Sequence, residues 1–345
     1  MNLRELANLL DLSTTTVSRA LNGYPEVSAA TRERVAEAAR LHGYAPNQVA
    51  RRLATGRTLA IGHVIPIAEH QMINPVFADF LAGAGETYSA AGYDTVLSIV
   101  PAEQEAEAYR EMARQRKVDG ILVSGPKVVD FRIELLAELG LPFLVHGRTG
   151  PDEAGYSWID INNRRAFRRA TELLAHLGHR RIALLNGQEQ LSFAARRRLG
   201  YEEALIEAGI AFDTDLAHQS EMTEPLGYAA ATRMMQLADP PTAFLTSSII
   251  TAHGVLRAMR ELGRQAGRDF SITTHDDDLS FLPNAGEVPL FTATRSSVRA
   301  AGRQAARMLI DLISTPESGP RQELWEVELT LGLSTGPAPR GQTHA

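Results

Sequence analysis

The feature that most constrains the fold is a repeated alternation of short apolar strands with longer amphipathic helices. The segments LAIGHVIP, DTVLSIV, VDGILVSGP and LPFLVHG are separated by helical stretches such as 76–91 and 103–116. A second series, RRIALLNG, TAFLTSS and FSITTHDD, follows the same pattern. Buried, β-branched strands that alternate with helices predict parallel α/β sheets. Two series predict two lobes, with a cleft at the carboxyl ends of the strands.

Composition limits the class of protein. The chain has 345 residues, 44% of them hydrophobic, which is enough for two or three domains with sizeable cores. It has no apolar run long enough for a membrane span, and residues 1–5 lack the pattern of a secretory signal. The absence of cysteine excludes disulfides and thiolate metal sites. We therefore expect a cytoplasmic protein.

Charge is distributed unevenly along the chain. The net charge is −6, but residues 1–57 carry eight arginines against five acidic residues, a net charge of +3. The remainder carries 27 basic and 36 acidic residues, a net charge of −9. A small basic segment on an acidic body indicates an anionic partner for that segment, such as nucleic acid. The excess is modest, so charge alone does not decide the partner.

The first 43 residues show the pattern of three short helices. One apolar face of a first helix is marked by Leu3, Leu6, Ala7 and Leu10. Ser13 and Ser28 are suitable N-caps for a second and a third helix, and Gly43 ends the third. Two helices joined by a short turn and supported by a third form a helix-turn-helix.

The second helix carries polar residues that a core role does not explain, because β-branched threonines lose side-chain freedom in a helix. The candidate DNA contacts of this helix and its cap are Ser13, Thr14, Thr15, Thr16, Ser18, Arg19 and Asn22. Short hydroxyl side chains and an arginine at the start of a recognition helix can reach base edges in the major groove. The alternative is a small helical bundle with a polar surface.

The segment YAPNQVARRLATGRT indicates a hinge helix. It begins with Asn47 as a cap and ends at Gly56, and it is too short and too rich in arginine to be stable alone. Such a segment fits one that folds on DNA and inserts an apolar side chain into the minor groove. Its candidate DNA contacts are Asn47, Arg51 and Leu53.

The segments LSTTTVSRALNGYPEVSAATRERV and GYAPNQVARRLATGRTLAIG resemble the head and hinge of the LacI/GalR family, the family of the lac repressor, across residues 3–62. The resemblance assigns base reading to Thr14, Thr15 and Arg19, a backbone contact to Asn22, and intercalation to Leu53 with Ala54. Asp11 departs from the glycine usual in the turn. Aspartate tolerates the left-handed conformation, so we expect the turn to be kept.

The rest of the chain resembles the effector domain of the same family through NPVFADFLAGAGETYSAAGYD, RKVDGILVSG, LGHRRIALLNG and RRRLGYEEAL. The resemblance implies an all-α helix-turn-helix head (1–45), a hinge helix (46–57) and a polar tail (336–345). Residues 58–335 would form a two-lobed α/β effector domain with parallel sheets, similar to periplasmic binding proteins. LPFLVHGR, WIDINN and GHRRIALLNG are further similar to the α-glucoside repressors of that family.

The resemblance implies a small polar ligand between the lobes, and we expect no cofactor. The candidate effector contacts are Arg148, Asp160, Asn163, Phe193, Arg197 and Asp276. Arg197 and Asp276 match the family's ligand-binding arginine and aspartate, and such planar charged groups suit adjacent hydroxyls. Phe193 would offer an apolar surface to a sugar ring.

Two loops depart from the family pattern. Ser248 and Ile249 stand where Asn-Asp is common, and Thr274 with His275 replaces a glycine and an aromatic residue. This leaves open whether these loops contact the ligand and which ligand it is. His275 and the three aspartates after it also raise the alternative of a metal site. Carboxylates adjacent in sequence rarely converge on one ion, so we expect no metal.

Catalytic motifs are absent from the sequence. It has no glycine-rich phosphate loop after a strand, no Gly-x-Ser-x-Gly elbow and no paired histidines of a metal hydrolase. We therefore expect a binding protein and not an enzyme. The rival class is a solute-binding protein, against which the hinge segment and the lack of a secretory signal both argue.

These observations predict a transcriptional repressor that is released from DNA by a small carbohydrate, a mono- or disaccharide. A head that reads a pseudo-palindromic operator implies a homodimer. The tail has no leucine heptad, so no C-terminal coiled coil is expected. A non-sugar ligand and a corepressor instead of an inducer remain alternatives.

Overall fold

The computed structural model describes residues 1–21, 24–44, 56–67, 75–150 and 153–339. Contacts divide the chain into two compact units, Met1–Leu59 and Ala60–Ala345. The first unit is all-α and the second is α/β. No helix in the described ranges is long and apolar enough to cross a membrane.

The first unit contains three helices: α1 (Leu3–Leu9), α2 (Thr14–Leu21) and α3 (Ala29–Leu41). Their core consists of Leu6, Ala7, Val17, Ala20, Val27, Val35, Ala38 and Ala39. The hydroxyls of Ser13 and Ser28 accept hydrogen bonds from the backbone N–H of Thr16 (3.0 Å) and Thr31 (3.2 Å), so the two predicted caps are confirmed. Asp11 has a φ of +53°, the left-handed conformation expected in the turn between α1 and α2.

The second unit continues with eight named helices and twelve strands in its described residues. The strands are β1 (Ala60–Ile67), β2 (Asp94–Pro101), β3 (Gly120–Ser124), β4 (Phe143–His146), β5 (Trp158–Ile161), β6 (Ile182–Asn186), β7 (Ala217–Gln219), β8 (Ala243–Thr246), β9 (Ser271–Asp276), β10 (Thr292–Arg295), β11 (Gln322–Trp325) and β12 (Glu328–Thr330). The helices are α4 (Pro75–Ala91), α5 (Glu105–Arg114), α6 (Phe131–Glu138), α7 (Asn163–His176), α8 (Ser192–Glu207), α9 (Glu224–Met234), α10 (Ile249–Glu261) and α11 (Val298–Ser314).

The strands form two six-stranded sheets, one in each lobe. Their orders are β11-β5-β4-β3-β1-β2 and β12-β10-β9-β8-β6-β7. Neighbouring strands are parallel except β12, which runs antiparallel to β10. In each lobe the order reverses between the lobe's first and third strands, and α/β sheets open a crevice at that point. The predicted two-lobed architecture with parallel sheets is confirmed.

The chain passes between the lobes three times. It enters the second lobe between β5 and α7, returns between β10 and α11, and enters it again between β11 and β12. Helix α11 packs on α4 and on strands β3 and β4, so the last part of the chain completes the first lobe. Neither lobe is therefore continuous in sequence.

All seven strand segments predicted from the sequence contain a strand. The sequence did not predict the short strands β5, β7, β10, β11 and β12, which have three or four residues each. Strand β2 differs from the expected buried strand, because its residues alternate between exposed and half-buried. It lies at a sheet edge, and no strand among the described residues pairs with its outer side.

Close backbone contacts fix α4 against α11. A Cβ on Gly83 would lie 2.0 Å from the carbonyl oxygen of Arg299, and one on Gly302 would lie 2.1 Å from that of Phe80. No real Cβ fits at such distances, so glycine is required at both positions. The residues predicted as a polar tail also make contacts, because the N–H of Ala338 donates to the carbonyl oxygen of Leu177 (2.8 Å).

Candidate functional site

The polar face of α2 is exposed as the sequence predicted. Thr14, Thr15 and Arg19 are exposed, while Thr16 and Ser18 are half-buried. The Ser13 hydroxyl lies 2.8 Å from the Thr16 hydroxyl, so these two side chains are already used in capping the helix. The remaining predicted DNA contacts, Asn22, Asn47, Arg51, Leu53 and Ala54, lie outside the described residues.

A cavity of about 160 Å³ lies between the two lobes of the second unit, at the crevice that the strand order creates. Its walls come from residues that directly follow or end the parallel strands, among them Gly125 after β3, Gly147 after β4 and Asp277 after β9. The carboxyl ends of strands from both sheets therefore meet at one place, as parallel sheets require.

Hydrogen bonds join the lobes on both sides of this cavity. On one side, the N–H of Ser192 donates to the carbonyl oxygen of Pro126 (2.9 Å), and the N–H of Val128 donates to that of Gln190 (2.9 Å). On the other side, the N–H and hydroxyl of Ser280 donate to the two carboxylate oxygens of Asp79, at 2.7 and 2.8 Å. The structure therefore shows the two lobes closed around the cavity.

Arg197 is the central cation of the cavity. It lies on α8 and is only 4% exposed, between the rings of Phe167 and Phe193, whose centroids are each 4.9 Å from its Cζ atom. Its Nε donates to Asn163 Oδ1 (2.7 Å) and its Nη1 to the carbonyl oxygen of Ser247 (2.6 Å). Burial lowers the pKa of Arg197 to about 10, so the guanidinium stays charged at neutral pH. Within the described residues, Nη2 has no hydrogen-bond acceptor and is available to a ligand.

Asp160 reaches the cavity from the end of β5 and connects three of the predicted residues. Its Oδ2 accepts from Nε of Arg148 (2.9 Å), and its Oδ1 lies 3.3 Å from the side-chain nitrogen of Asn163. Burial raises the pKa of Asp160, with Arg148 opposing the shift. Arg148 itself does not line the cavity; it lies over the ring of Trp158 and orients Asp160.

The aspartate that lines the cavity is Asp277 and not the predicted Asp276. Asp277 lines the cavity, whereas Asp276 does not, and the Asp276 carboxylate accepts from the N–H of Asp278 (2.9 Å). Asp276 is the last residue of β9, and successive side chains at a strand end point in opposite directions. Burial opposes ionisation of Asp277, but His275 and Arg197 outweigh it and hold the pKa of Asp277 below its ordinary value.

The first lobe supplies a wall that the sequence did not predict. The ring of His146 stacks on that of Phe80, with centroids 4.2 Å apart, and both line the cavity. Burial lowers the pKa of His146 to about 4, so this ring is neutral at pH 7. The hydroxyl oxygen of Ser124 is buried at the same wall and has no hydrogen-bond partner among the described residues. No motif in the sequence distinguishes these residues from core residues.

The loop after β8 contains Ser248 and Ile249, which stand where the family commonly has Asn-Asp. The Ser248 hydroxyl accepts from the N–H of Ile250 (3.2 Å) and caps α10, while Ile249 is buried. The carbonyl oxygen of Ser247 holds Arg197. This loop therefore contributes its backbone to the cavity's cation, with no side-chain carboxylate.

Metal ligation finds no support in the described part of the chain. No group of three or more His, Asp or Glu side chains there is arranged to hold a metal ion. The imidazole Nε2 of His275 lies 3.5 Å from Asp277 Oδ1, and both ring nitrogens also lie within hydrogen-bond distance of hydroxyls, those of Thr294 and Ser296. This histidine is therefore held within a network of protein groups.

Comparison with known proteins identifies both parts of the chain. Residues 2–47 match the bacterial regulatory proteins of the lacI family, and residues 171–335 match a periplasmic binding protein-like domain. The HTH-type transcriptional regulator AglR of Rhizobium meliloti (strain 1021) is 46% identical over 340 residues, which cover 98% of this chain and 95% of AglR. The chain belongs to the lacI family of bacterial regulatory proteins.

Two solved structures of lacI-family proteins show how far the similarity extends. A complex of the transcriptional regulator CelR with cellobiose has a TM-score of 0.71 at 30% identity and covers 97% of this chain and 99% of CelR. The lac repressor dimer bound to operator and the anti-inducer ONPF has a TM-score of 0.75 at 26% identity, with 97% and 99% covered. The prediction of a DNA-binding transcriptional regulator of this family is confirmed.

Proposed function

We propose that this lacI-family protein is a homodimeric repressor that binds a pseudo-palindromic operator and is released by a small neutral carbohydrate bound between its lobes. The cleft would bind its ligand without catalysing a reaction. Such a regulator acts in the cytoplasm, where operator DNA lies. The observation that carries the effector proposal is the arrangement of Arg197, Asp160 and Asp277 around one cavity beside the Phe193 ring.

The chemistry of the cavity favours a polyol. A guanidinium with an available nitrogen donates to hydroxyl oxygens, and two carboxylates accept from hydroxyl protons. The ring of Phe193 suits the C–H face of a sugar, as the apolar walls of ligand sites do. The carboxylates of Asp160 and Asp277 are balanced by the guanidinium groups of Arg148, which pairs with Asp160, and Arg197, and this balance disfavours a strongly ionic ligand. CelR, a relative of similar fold, binds cellobiose.

The head supports DNA binding. Thr14, Thr15 and Arg19 stand exposed on one helix above a small core, and this is the arrangement with which a recognition helix enters the major groove. We propose that the hinge residues Leu53 and Ala54 contact the minor groove, as inferred from the sequence.

An edge strand supports the homodimer. Strand β2 exposes Leu97 and Ile99, which are 42% and 57% exposed, at the free edge of the first lobe's sheet. Exposed apolar edges invite pairing or coverage by another chain. The lac repressor, whose fold this chain shares, is a dimer on its operator.

The test is fluorescence anisotropy with labelled DNA from upstream of the protein's own and neighbouring genes, at one fixed salt concentration. Glucose, maltose, trehalose and sucrose are added separately. Release by one sugar supports the proposal. Binding that no sugar alters would contradict the carbohydrate effector, and binding that a sugar strengthens would indicate a corepressor.

Matched variants separate the two sites. Arg197→Ala should weaken the sugar response about 10–100-fold, because a hydrogen bond to a charged group contributes about 1.5–3 kcal/mol, and should leave operator affinity unchanged. The neighbouring Arg198, which pairs with Glu202 and Glu189 and does not line the cavity, provides the control Arg198→Ala. Arg19→Ala should do the reverse, weakening operator binding alone. A normal sugar response in Arg197→Ala would show that the effector site is misassigned.

A further inference from the structure

The space between the lobes consists of two chambers. The inner chamber of about 160 Å³ contains Arg197, Asp160 and Asp277. An outer chamber of about 190 Å³ adjoins it, and the two share Val76, Gly125, Phe193 and Met222 as wall. The shared residues place the two chambers side by side.

The volumes decide how large a ligand this space accommodates. At about 30 Å³ for each water, either chamber has the volume of five or six waters, similar to one pyranose ring. Small-molecule sites usually measure about 300–1,000 Å³. Neither chamber reaches that range alone, while together they measure about 350 Å³. A single ring in the inner chamber would leave the outer one filled with water.

The two chambers differ in chemistry. The outer one is lined by six apolar side chains and five polar ones. The apolar side chains are Pro75, Val76, Leu191, Phe193, Met222 and Ile250, and the polar ones are Gln188, Ser220, Glu221, Thr223 and Ser248. The Ser220 hydroxyl donates to a backbone carbonyl, and the Thr223 hydroxyl accepts from the N–H of Leu226. These two hydroxyls are thus engaged with the backbone, while the apolar side chains of the chamber offer a surface to the face of a ring.

Ile250 is the firmly held part of this wall. It lies in the first turn of α10, where its N–H donates to the Ser248 hydroxyl (3.2 Å), and its neighbour Ile249 is 1% exposed. The backbone that carries the Ile250 side chain is therefore fixed at the start of the helix. A wall that does not yield discriminates between ligands by size.

We propose that the effector is a sugar of two units, with one unit in the inner chamber and the second in the outer chamber against Met222 and Ile250, and that Ile250 determines which second unit is accepted. This inference rests on the proposed carbohydrate response. It names the size of the ligand and a residue that sets specificity.

Calorimetric titration of the full chain with glucose, methyl α-glucoside, maltose, trehalose, sucrose and cellobiose tests this. At least one disaccharide should bind tenfold or more tightly than glucose. Ile250→Trp fills the outer chamber and should reduce the ratio of disaccharide affinity to glucose affinity about tenfold, the equivalent of 1.4 kcal/mol. The control is Ile206→Trp on α8, at a side chain that is 75% exposed, and it should not change the ratio.

The outcomes separate this inference from the proposal beneath it. Glucose binding as tightly as every disaccharide, or an equal loss for both in Ile250→Trp, would overturn the two-unit ligand and leave the carbohydrate response standing. No binding of any sugar by the unaltered chain would overturn both. If Ile250→Trp melts early, Ile250→Ala replaces it, and removing the wall should lower disaccharide affinity severalfold more than glucose affinity; equal losses would again overturn the inference.

Discussion

In its described residues, each lobe of the second unit buries one arginine, and the two side chains differ in their hydrogen bonds. Arg132 in the first lobe is 6% exposed and Arg197 in the second is 4% exposed. Arg132 makes five hydrogen bonds, to both carboxylate oxygens of Asp130, to Glu105 and to the carbonyl oxygens of Ser124 and Gly125. The Arg197 side chain makes two hydrogen bonds to described residues and lies between two aromatic rings.

We interpret this difference as that between a structural charge and the ligand-binding charge proposed above. Burial opposes the charge on Arg132, but its carboxylate partners outweigh burial and raise its pKa, whereas burial dominates at Arg197 and lowers its pKa to about 10. A guanidinium with all its donors occupied holds the end of β3 in place. One with a donor unoccupied beside a cavity is able to donate to a ligand, as we propose for Arg197. Burial alone would not distinguish them.

The largest effect is expected at the fully bonded arginine. Arg132→Met leaves Glu105 and Asp130 buried without their cation, and breaking such an ion pair costs about 3–5 kcal/mol. Urea unfolding monitored by circular dichroism measures this loss in the free energy of unfolding. A loss below 1 kcal/mol would show that the network does not stabilise the first lobe.

The next largest change in stability is expected at His63, a buried histidine of the first lobe. His63 in β1 is 2% exposed, neither of its ring nitrogens has a partner among the described residues, and burial lowers its pKa to about 4. The unfolded chain takes up this proton near pH 6.5, so stability is lost as the pH falls from about 6.5 towards 4. His63→Phe removes that loss. When the pH is lowered from 7 to 5, the free energy of unfolding of the variant should therefore rise by about 2 kcal/mol relative to that of the parent.

The second lobe provides the control for this comparison. His179 lies 2.9 Å from the hydroxyls of both Thr242 and Ser271. His179→Phe should therefore destabilise the protein at both pH values, because it removes the hydrogen bonds that join the ring to these two hydroxyls. Unfolding free energies at pH 7 and pH 5 test both variants. If His179→Phe raised the free energy of unfolding at pH 5 as much as His63→Phe, the distinction between the unpartnered and the hydrogen-bonded histidine would be wrong.

A smaller change in stability is expected at the cavity's arginine. Arg197→Met removes a buried charge that has few partners and keeps similar volume, so the free energy of unfolding should stay within about 1 kcal/mol of the parent. The sugar response should be lost in the same variant. A stability loss as large as that of Arg132→Met would mean that Arg197 is structural as well.

The smallest effect is expected at an exposed arginine of the second lobe. Arg257 is 47% exposed, contacts Glu224 (2.7 Å) and lies over the ring of Tyr228. Arg257→Ala should lower the free energy of unfolding least of these variants, and less still in high salt, because exposed ion pairs are screened by solvent. Urea unfolding at 0.05 and 1 M salt measures this loss. A loss as large as that of Arg132→Met would remove the contrast between buried and exposed pairs.

The sequence predicted the architecture because strand and helix periods, caps and turn residues are local signals. The caps at Ser13 and Ser28 and seven strand segments were found in this way. The short strands β10 to β12 depend on pairing with distant segments and leave no local pattern.

The site was predictable in position but not in every residue. Parallel strands place their carboxyl ends together, so Asp160, Asn163, Phe193 and Arg197 all line the same cavity. A run of three aspartates carries no signal for which one points inward, because one residue of register reverses the direction of a side chain. Ser124 and His146 are assigned to the cavity only by the fold.

The three crossings between the lobes determine when each lobe can fold on the ribosome. The first lobe lacks α11 and β11 until residues 298–325 have been synthesised, and the second lacks β12 until residue 330. Residues 60–297 thus emerge as two sheets that each still have an open edge. A nascent chain that stalls before residue 298 exposes both edges at once, so such a product should aggregate or be degraded, and neither lobe should be obtainable as a contiguous fragment.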